Sequence, residues 1–129
     1  MAKAPDNSLL QGSLDLLVLQ TLVGGAKHGY AVARHIHVTS GEALQVEEGS
    51  LYPALHRLER RGWIESEWGA SESNRRAKFY SLTRKGRAQL KTQIAAWEAA
   101  VAAVGKVLNG STFGLVGRRV GGLFAEGLA

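Results

Sequence analysis

The sequence predicts a mainly α-helical fold with one small β-hairpin, followed by a single long helix. Three observations carry that expectation. Between residues 13 and 61, three segments carry apolar side chains suited to helices, with glycines after each. Two short alternating stretches then flank a polar turn at residues 69–76. From Leu90 to Leu108, apolar residues recur in steps of four and three, the seam of a helix that packs lengthwise on another.

Residues 1–12 read as a flexible arm. Ser13 is the expected cap of the first helix, with Asp15 near the positive end of its dipole. Leu14, Leu16, Leu17, Val18, Leu19, Leu22 and Val23 make that helix apolar on most sides, which calls for burial. Gly24 and Gly25 end it. A second helix starts near Gly29 and runs to about Thr39, with Tyr30, Val32, Ala33 and Ile36 on a partly apolar face and Gly41 as its stop.

In the third segment, Leu51, Leu55 and Leu58 fall on one helical stripe. Ser50 or Gly49 is the expected cap and Gly62 the stop. Pro53 is compatible with a first turn, where a missing N–H has no intrahelical partner to lose. Residues 63–68 and 77–82 read as strands, with Ile64 and Trp68 on one face of the first and Tyr80 and Leu82 on one face of the second. Arg75 and Arg76 tip the hairpin, and Lys78 lies just inside it. Thr83 caps the last helix. Its seam is Leu90, Ile94, Trp97, Val101, Val104 and Leu108, and the alanines between them favour helix. Residues 109–129 carry six glycines and Arg118-Arg119 and read as a poorly ordered tail. The expected organisation is an arm (1–12), a domain of three helices and a hairpin (13–82), a long helix whose seam calls for a partner (83–108) and a Gly-rich tail (109–129).

A chain of 129 residues is expected to form one domain. It has no cysteine, which excludes disulfides and zinc–thiolate sites. No apolar run approaches the ~18 residues of a membrane span, and with no basic-then-apolar pattern in the first residues no leader is expected. The expected compartment is the cytoplasm, without membrane attachment. The net charge of +5 favours a polyanionic partner. Residues 1–82 hold nine basic and nine acidic side chains, whereas residues 83–129 hold seven and two. A DNA reader built from the first part must therefore sort its charges onto different faces.

Helix, helix, helix, hairpin is the order of a winged helix-turn-helix, and the third segment has the two faces a recognition helix needs. Leu51, Leu55 and Leu58 face the core; Pro53, His56, Arg57 and Arg60 lie on the other side. Arg57 and Arg60 suit guanine edges or phosphates. Ser50 and the free N–H groups at the helix start suit a phosphate oxygen, and the Tyr52 hydroxyl suits the DNA backbone. The basic hairpin tip of Arg75, Arg76 and Lys78 suits phosphates or the minor groove. The seam predicts a partner helix. A two-fold dimer is its simplest closed form, and it spaces two recognition helices about 34 Å apart, one DNA turn.

Residues 49–64, GSLYPALHRLERRGWI, resemble the core motif of the PadR-type transcriptional regulators. Residues 78–86, KFYSLTRKG, resemble the family's second signature, and Leu14–Leu22 with His28-Gly29-Tyr30 resemble its opening. The resemblance covers roughly residues 8–108 and points to the short members with a single C-terminal helix. It implies a homodimeric repressor that binds inverted-repeat operators in double-stranded DNA and releases them on binding an effector. By the same resemblance Tyr30, Ser50, Tyr52, Pro53 and Arg57 belong to the helix-turn-helix surface, and Arg75, Arg76 and Lys78 to the wing. In short members an aromatic on the last helix can face a cavity between subunits, which makes Trp97 the candidate effector-binding residue; paired indoles suit flat aromatic ligands.

Two rival classes fare worse. His28, His35, His37 and His56 form no recognisable metal or catalytic motif, and no phosphate-binding loop or nucleophile elbow is present. No catalytic residue, metal or cofactor is therefore expected. A dimerisation or adaptor module for an acidic protein would have to use the same arginines.

Overall fold

The computed structural model describes the backbone of residues 7–113 and the side chains of residues 13–110. The expected arm up to residue 6 and the tail from residue 114, with Arg118-Arg119, lie outside the described residues. The chain divides into two units, residues 1–93 and 94–129.

In the first unit, helix α1 spans Asn7–Thr21 and continues into a short 3-10 turn, Leu22–Gly24. It starts well before the expected cap, so Ser13 and Asp15 lie inside the helix and Asp15 is not a dipole partner at its end. Helix α2 spans Gly29–Thr39, and its cap is His28, whose Nδ1 accepts the Ala31 N–H at 3.3 Å. Helix α3 spans Glu48–Arg60. Gly62 ends it at φ 79, where the Trp63 N–H donates to the Leu58 carbonyl and the Gly62 N–H to the Glu59 carbonyl. That is a Schellman ending, with glycine at the left-handed position where a Cβ is costly.

The start of α3 differs from the expectation. Glu47 precedes the helix and caps it without a side-chain bond, its carbonyl accepting from Ser50 and Leu51. Ser50 is thus the third helical residue, not the cap. Pro53 stands in the second turn, where it withholds a hydrogen bond from the Gly49 carbonyl. Because Gly49 is exposed, water can satisfy that carbonyl.

The hairpin pairs β2 (Ile64–Ala70) with β3 (Arg76–Leu82), in the register Ile64↔Leu82 to Ala70↔Arg76. A third strand was not expected. Residues Lys27–His28 form β1, which pairs with the other edge of β3 and gives the order β1-β3-β2. Two residues carry no alternation, so β1 left no periodic signal. The core is built from Leu14, Val18, Leu19 and Leu22 of α1 and the turn after it, Val32 and Ile36 of α2, and Leu51, Ala54, Leu55 and Leu58 of α3. Ile64, Tyr80 and Leu82 add the root of the sheet. Trp68 shares the face of Ile64 but is 54% exposed, because the hairpin runs past the core.

Helix α4 spans Arg84–Phe113, interrupted at Gly110, which adopts φ 67. Thr83 caps it as expected: its Oγ1 accepts the Gly86 N–H at 3.0 Å and donates to the Gly62 carbonyl at 2.7 Å. Leu90 is buried at 6% exposure within the single chain, where it packs as core. In the second unit Ile94 is half-buried, while Trp97, Val101, Val104 and Leu108 are exposed.

Candidate nucleic-acid interface

The outer surface of α3 follows from its buried stripe. With Leu51, Ala54, Leu55 and Leu58 inward, a turn of ~100° per residue leaves Pro53, His56 and Arg60 facing away, and all three are exposed. Tyr52 and Glu59 fall on one flank. That flank meets the wing: Ser66 Oγ donates to Glu59 Oε2 at 2.6 Å. Burial pushes the Tyr80 phenol above the usual tyrosine range, and the Glu59 carboxylate and Tyr52 push the same way.

Arg57 falls on the opposite flank, toward α1. Its Nη2 donates to Asp15 Oδ1 at 2.9 Å, in the one ion pair found among the described residues. The expected set of Pro53, His56, Arg57 and Arg60 is therefore split, with three residues on the outer face and Arg57 at its edge, held by another helix.

Tyr52 lies closely against the start of α2. A Cβ added at Gly29 would come within 2.7 Å of the Tyr52 hydroxyl, so any larger residue there would push the ring aside. Tyr52 belongs to the second turn of α3. Ser50 is half-buried and its N–H is already bonded to the Glu47 carbonyl at 3.0 Å. With Glu47 and Glu48 exposed at this helix start, two carboxylates oppose anion capture, and the expected phosphate seat at Ser50 is weakened.

The wing turn places Asn74 at φ 61, a left-handed position that asparagine tolerates. The Arg75 N–H donates to Ser71 Oγ, and the Arg75 carbonyl accepts from the Ser71 N–H at 2.8 Å. This clasp leaves the Arg75 side chain exposed at the tip. Arg76 is the first residue of β3, diagonal to Trp68, and its guanidinium lies 4.2 Å from the indole centroid; Lys78 Nζ lies 5.8 Å away. Trp68 thus carries two cations on the wing.

A groove of about 860 Å3 runs between the wing and the starts of α2 and α3. Tyr30, Tyr52, Arg75, Arg76 and Lys78 line it together, joined by His28, Trp68 and Tyr80. The structure thus gathers five of the expected site residues, while Pro53, His56 and Arg60 lie on the neighbouring outer face. Sequence reasoning missed Trp68, whose place in an alternating strand suggested core. No group of three or more metal-ligating side chains occurs among the described residues, and no described helix is long and apolar enough to cross a membrane.

Three helices, a basic wing and an exposed helix face bordering it define a winged-helix DNA-binding protein. The family model for the "Transcriptional regulator PadR-like family" matches residues 18–92, more than half of the chain, and the protein belongs to that family of DNA-binding regulators. Among solved structures, a transcriptional regulator from Clostridium thermocellum is 29% identical, with TM-score 0.70, over 77% of this chain and 96% of that one. A PadR family regulator from Eggerthella lenta is 32% identical, with TM-score 0.67, over 79% and 87%. A PadR-like regulator from Bacillus cereus is 28% identical, with TM-score 0.68, over 81% and 99%. An uncharacterised protein from Lysinibacillus sphaericus is 26% identical over 91 residues, which are 70% of this chain and 84% of the relative.

Proposed function

We propose that the protein is a homodimeric, cytoplasmic transcriptional repressor that holds an inverted-repeat operator until a small, flat aromatic effector releases it. The observation that carries the reading is the groove that joins Arg75, Arg76 and Lys78 of the wing to Tyr30 and Tyr52 beside the outer face of α3. The outer face, with His56 and Arg60, enters the major groove and contacts base edges. The wing cations and tyrosine hydroxyls follow the adjoining phosphates. Dimerisation is assigned to Trp97, Val101, Val104 and Leu108, whose exposures in one chain run from 45% to 77%. A stripe of this kind is normally covered by a second apolar surface, and a two-fold partner is the closed solution. Trp97 is assigned the effector, since an exposed indole offers a planar face to an aromatic ring.

Nuclease protection of the DNA upstream of the protein's own gene tests this reading. Two protected half-sites, their centres about 34 Å apart or a multiple of that, are expected, with protection abolished by a flat aromatic compound. Absence of protection on any duplex, at any salt concentration, would refute it.

A further inference from the structure

Arg57 is an exposed arginine on the recognition helix that is not free. Asp15 holds one of its terminal nitrogens at 2.9 Å, with the side chains 46% and 28% exposed. A guanidinium carries five N–H donors in a rigid plane. Asp15 engages a single nitrogen, Nη2, and no other hydrogen bond or ion pair of the Arg57 side chain is found among the described residues. Arg57 is also one turn from Pro53 and three residues from Arg60, so its free edge borders the outer face of α3.

Resting on the DNA-binding reading above, we infer that Asp15 is a positioning residue for specificity: it aims the Arg57 guanidinium at a base edge and keeps it off the phosphates. Two physical consequences support this division of labour. The carboxylate restricts the rotamers of a long side chain, so its remaining donors are presented in one geometry, which directional base readout needs. The carboxylate also offsets the arginine's charge. A neutral pair releases few counterions from DNA, so Arg57 adds little to sequence-independent attraction while it stays paired. The wing cations differ in both respects. Arg75 has no carboxylate partner within ion-pair distance among the described residues, and Arg76 rests on an indole, which leaves its charge in place.

Asp15→Asn keeps the side-chain shape and removes the charge. Binding of the full chain is measured by fluorescence anisotropy to a duplex selected from a random-sequence pool and to its scrambled counterpart, across a salt series. Three variants are compared with the parent: Asp15→Asn, Arg57→Ala and both together. Asp15→Asn is expected to bind the scrambled duplex more tightly. Its log-affinity against log-salt slope should steepen by about 0.9, one added phosphate contact. Preference for the selected duplex should fall by about tenfold, within the range for one good base contact. Arg57→Ala should lose the same preference with an unchanged slope, and Asp15→Asn should cost no further preference once Arg57 is gone. Circular dichroism of each variant separates these effects from misfolding. Equal shifts on both duplexes, or losses of preference that add in the double variant, overturn the inference and leave the DNA-binding reading standing. A parent chain that binds neither duplex overturns both.

Discussion

Tyr80 is buried at 3% exposure where the wing root meets α3, and its phenol is held neutral by burial, by the Glu59 carboxylate and by Tyr52. The raised value has a pH consequence of definite sign. In the unfolded chain the phenol ionises near pH 10, while in the fold it keeps its proton to higher pH. Above pH 10 the unfolded state therefore binds fewer protons than the native state, and stability falls as pH rises. Tyr80's contribution is fully present below pH 10 and is lost through the folded value above it. Urea unfolding between pH 8 and 11 should show this decline, and Tyr80→Phe should flatten it. At this scale the sequence was informative about residue type and poor about partners. Arg57 and Asp15 are 42 positions apart, and nothing in local spacing could pair them. Asp15 looked like a dipole partner only because the start of α1 was placed at Ser13. Trp68 fits an alternating strand, and only the length of the hairpin beyond the core exposes it.

The elements meet at a junction of backbone groups. Thr83 caps α4 while its hydroxyl donates to the Gly62 carbonyl, and its N–H donates to the Trp63 carbonyl at 3.1 Å. One threonine thus ties the end of α3, the approach to β2 and the start of α4. Gly86 completes the junction, since a Cβ there would lie 1.9 Å from the Trp63 carbonyl oxygen. Backbone on both sides leaves little room to give. Gly86→Ala should destabilise the fold by about 1–3 kcal/mol, the usual penalty of overpacking. Gly49→Ala, with open space around it, should not. Thermal unfolding of the two variants decides the matter, and equal midpoints would contradict the tight junction. Most elements were legible because apolar periodicity and glycine stops report burial directly: α2 and the end of α3 fall where Gly29 and Gly62 put them. The start of α3 was not legible, since Glu47 caps through its backbone and Ser50 offers a stronger but unused signal. Leu90 fits the 4/3 spacing like its neighbours, and its burial within one chain is not legible from that spacing.

At the scale of the molecule, the excess charge lies along the sequence after residue 82. The first 82 residues are balanced, with nine basic and nine acidic side chains. DNA affinity then depends on where those charges emerge. Glu65 and Glu67 lie on one face of the hairpin, while Arg76, Lys78 and Trp68 lie on the other, because cross-strand partners and alternate residues share a face. This sorting gives a nearly neutral stretch a basic groove. It was visible in outline from the alternation of β2 and β3, whereas the contribution of Tyr30 and His28 depends on β1 docking beside β3. The most direct measurement of the central claim is the salt dependence of duplex binding by the parent chain and by the Arg75→Ala/Arg76→Ala variant. If the wing seats phosphates, log affinity falls linearly with log salt. The variant's slope is then shallower by about 1.8, two contacts at ~0.9 each, with the same loss on selected and scrambled sequences. A variant that keeps the parent's slope and affinity would contradict the account.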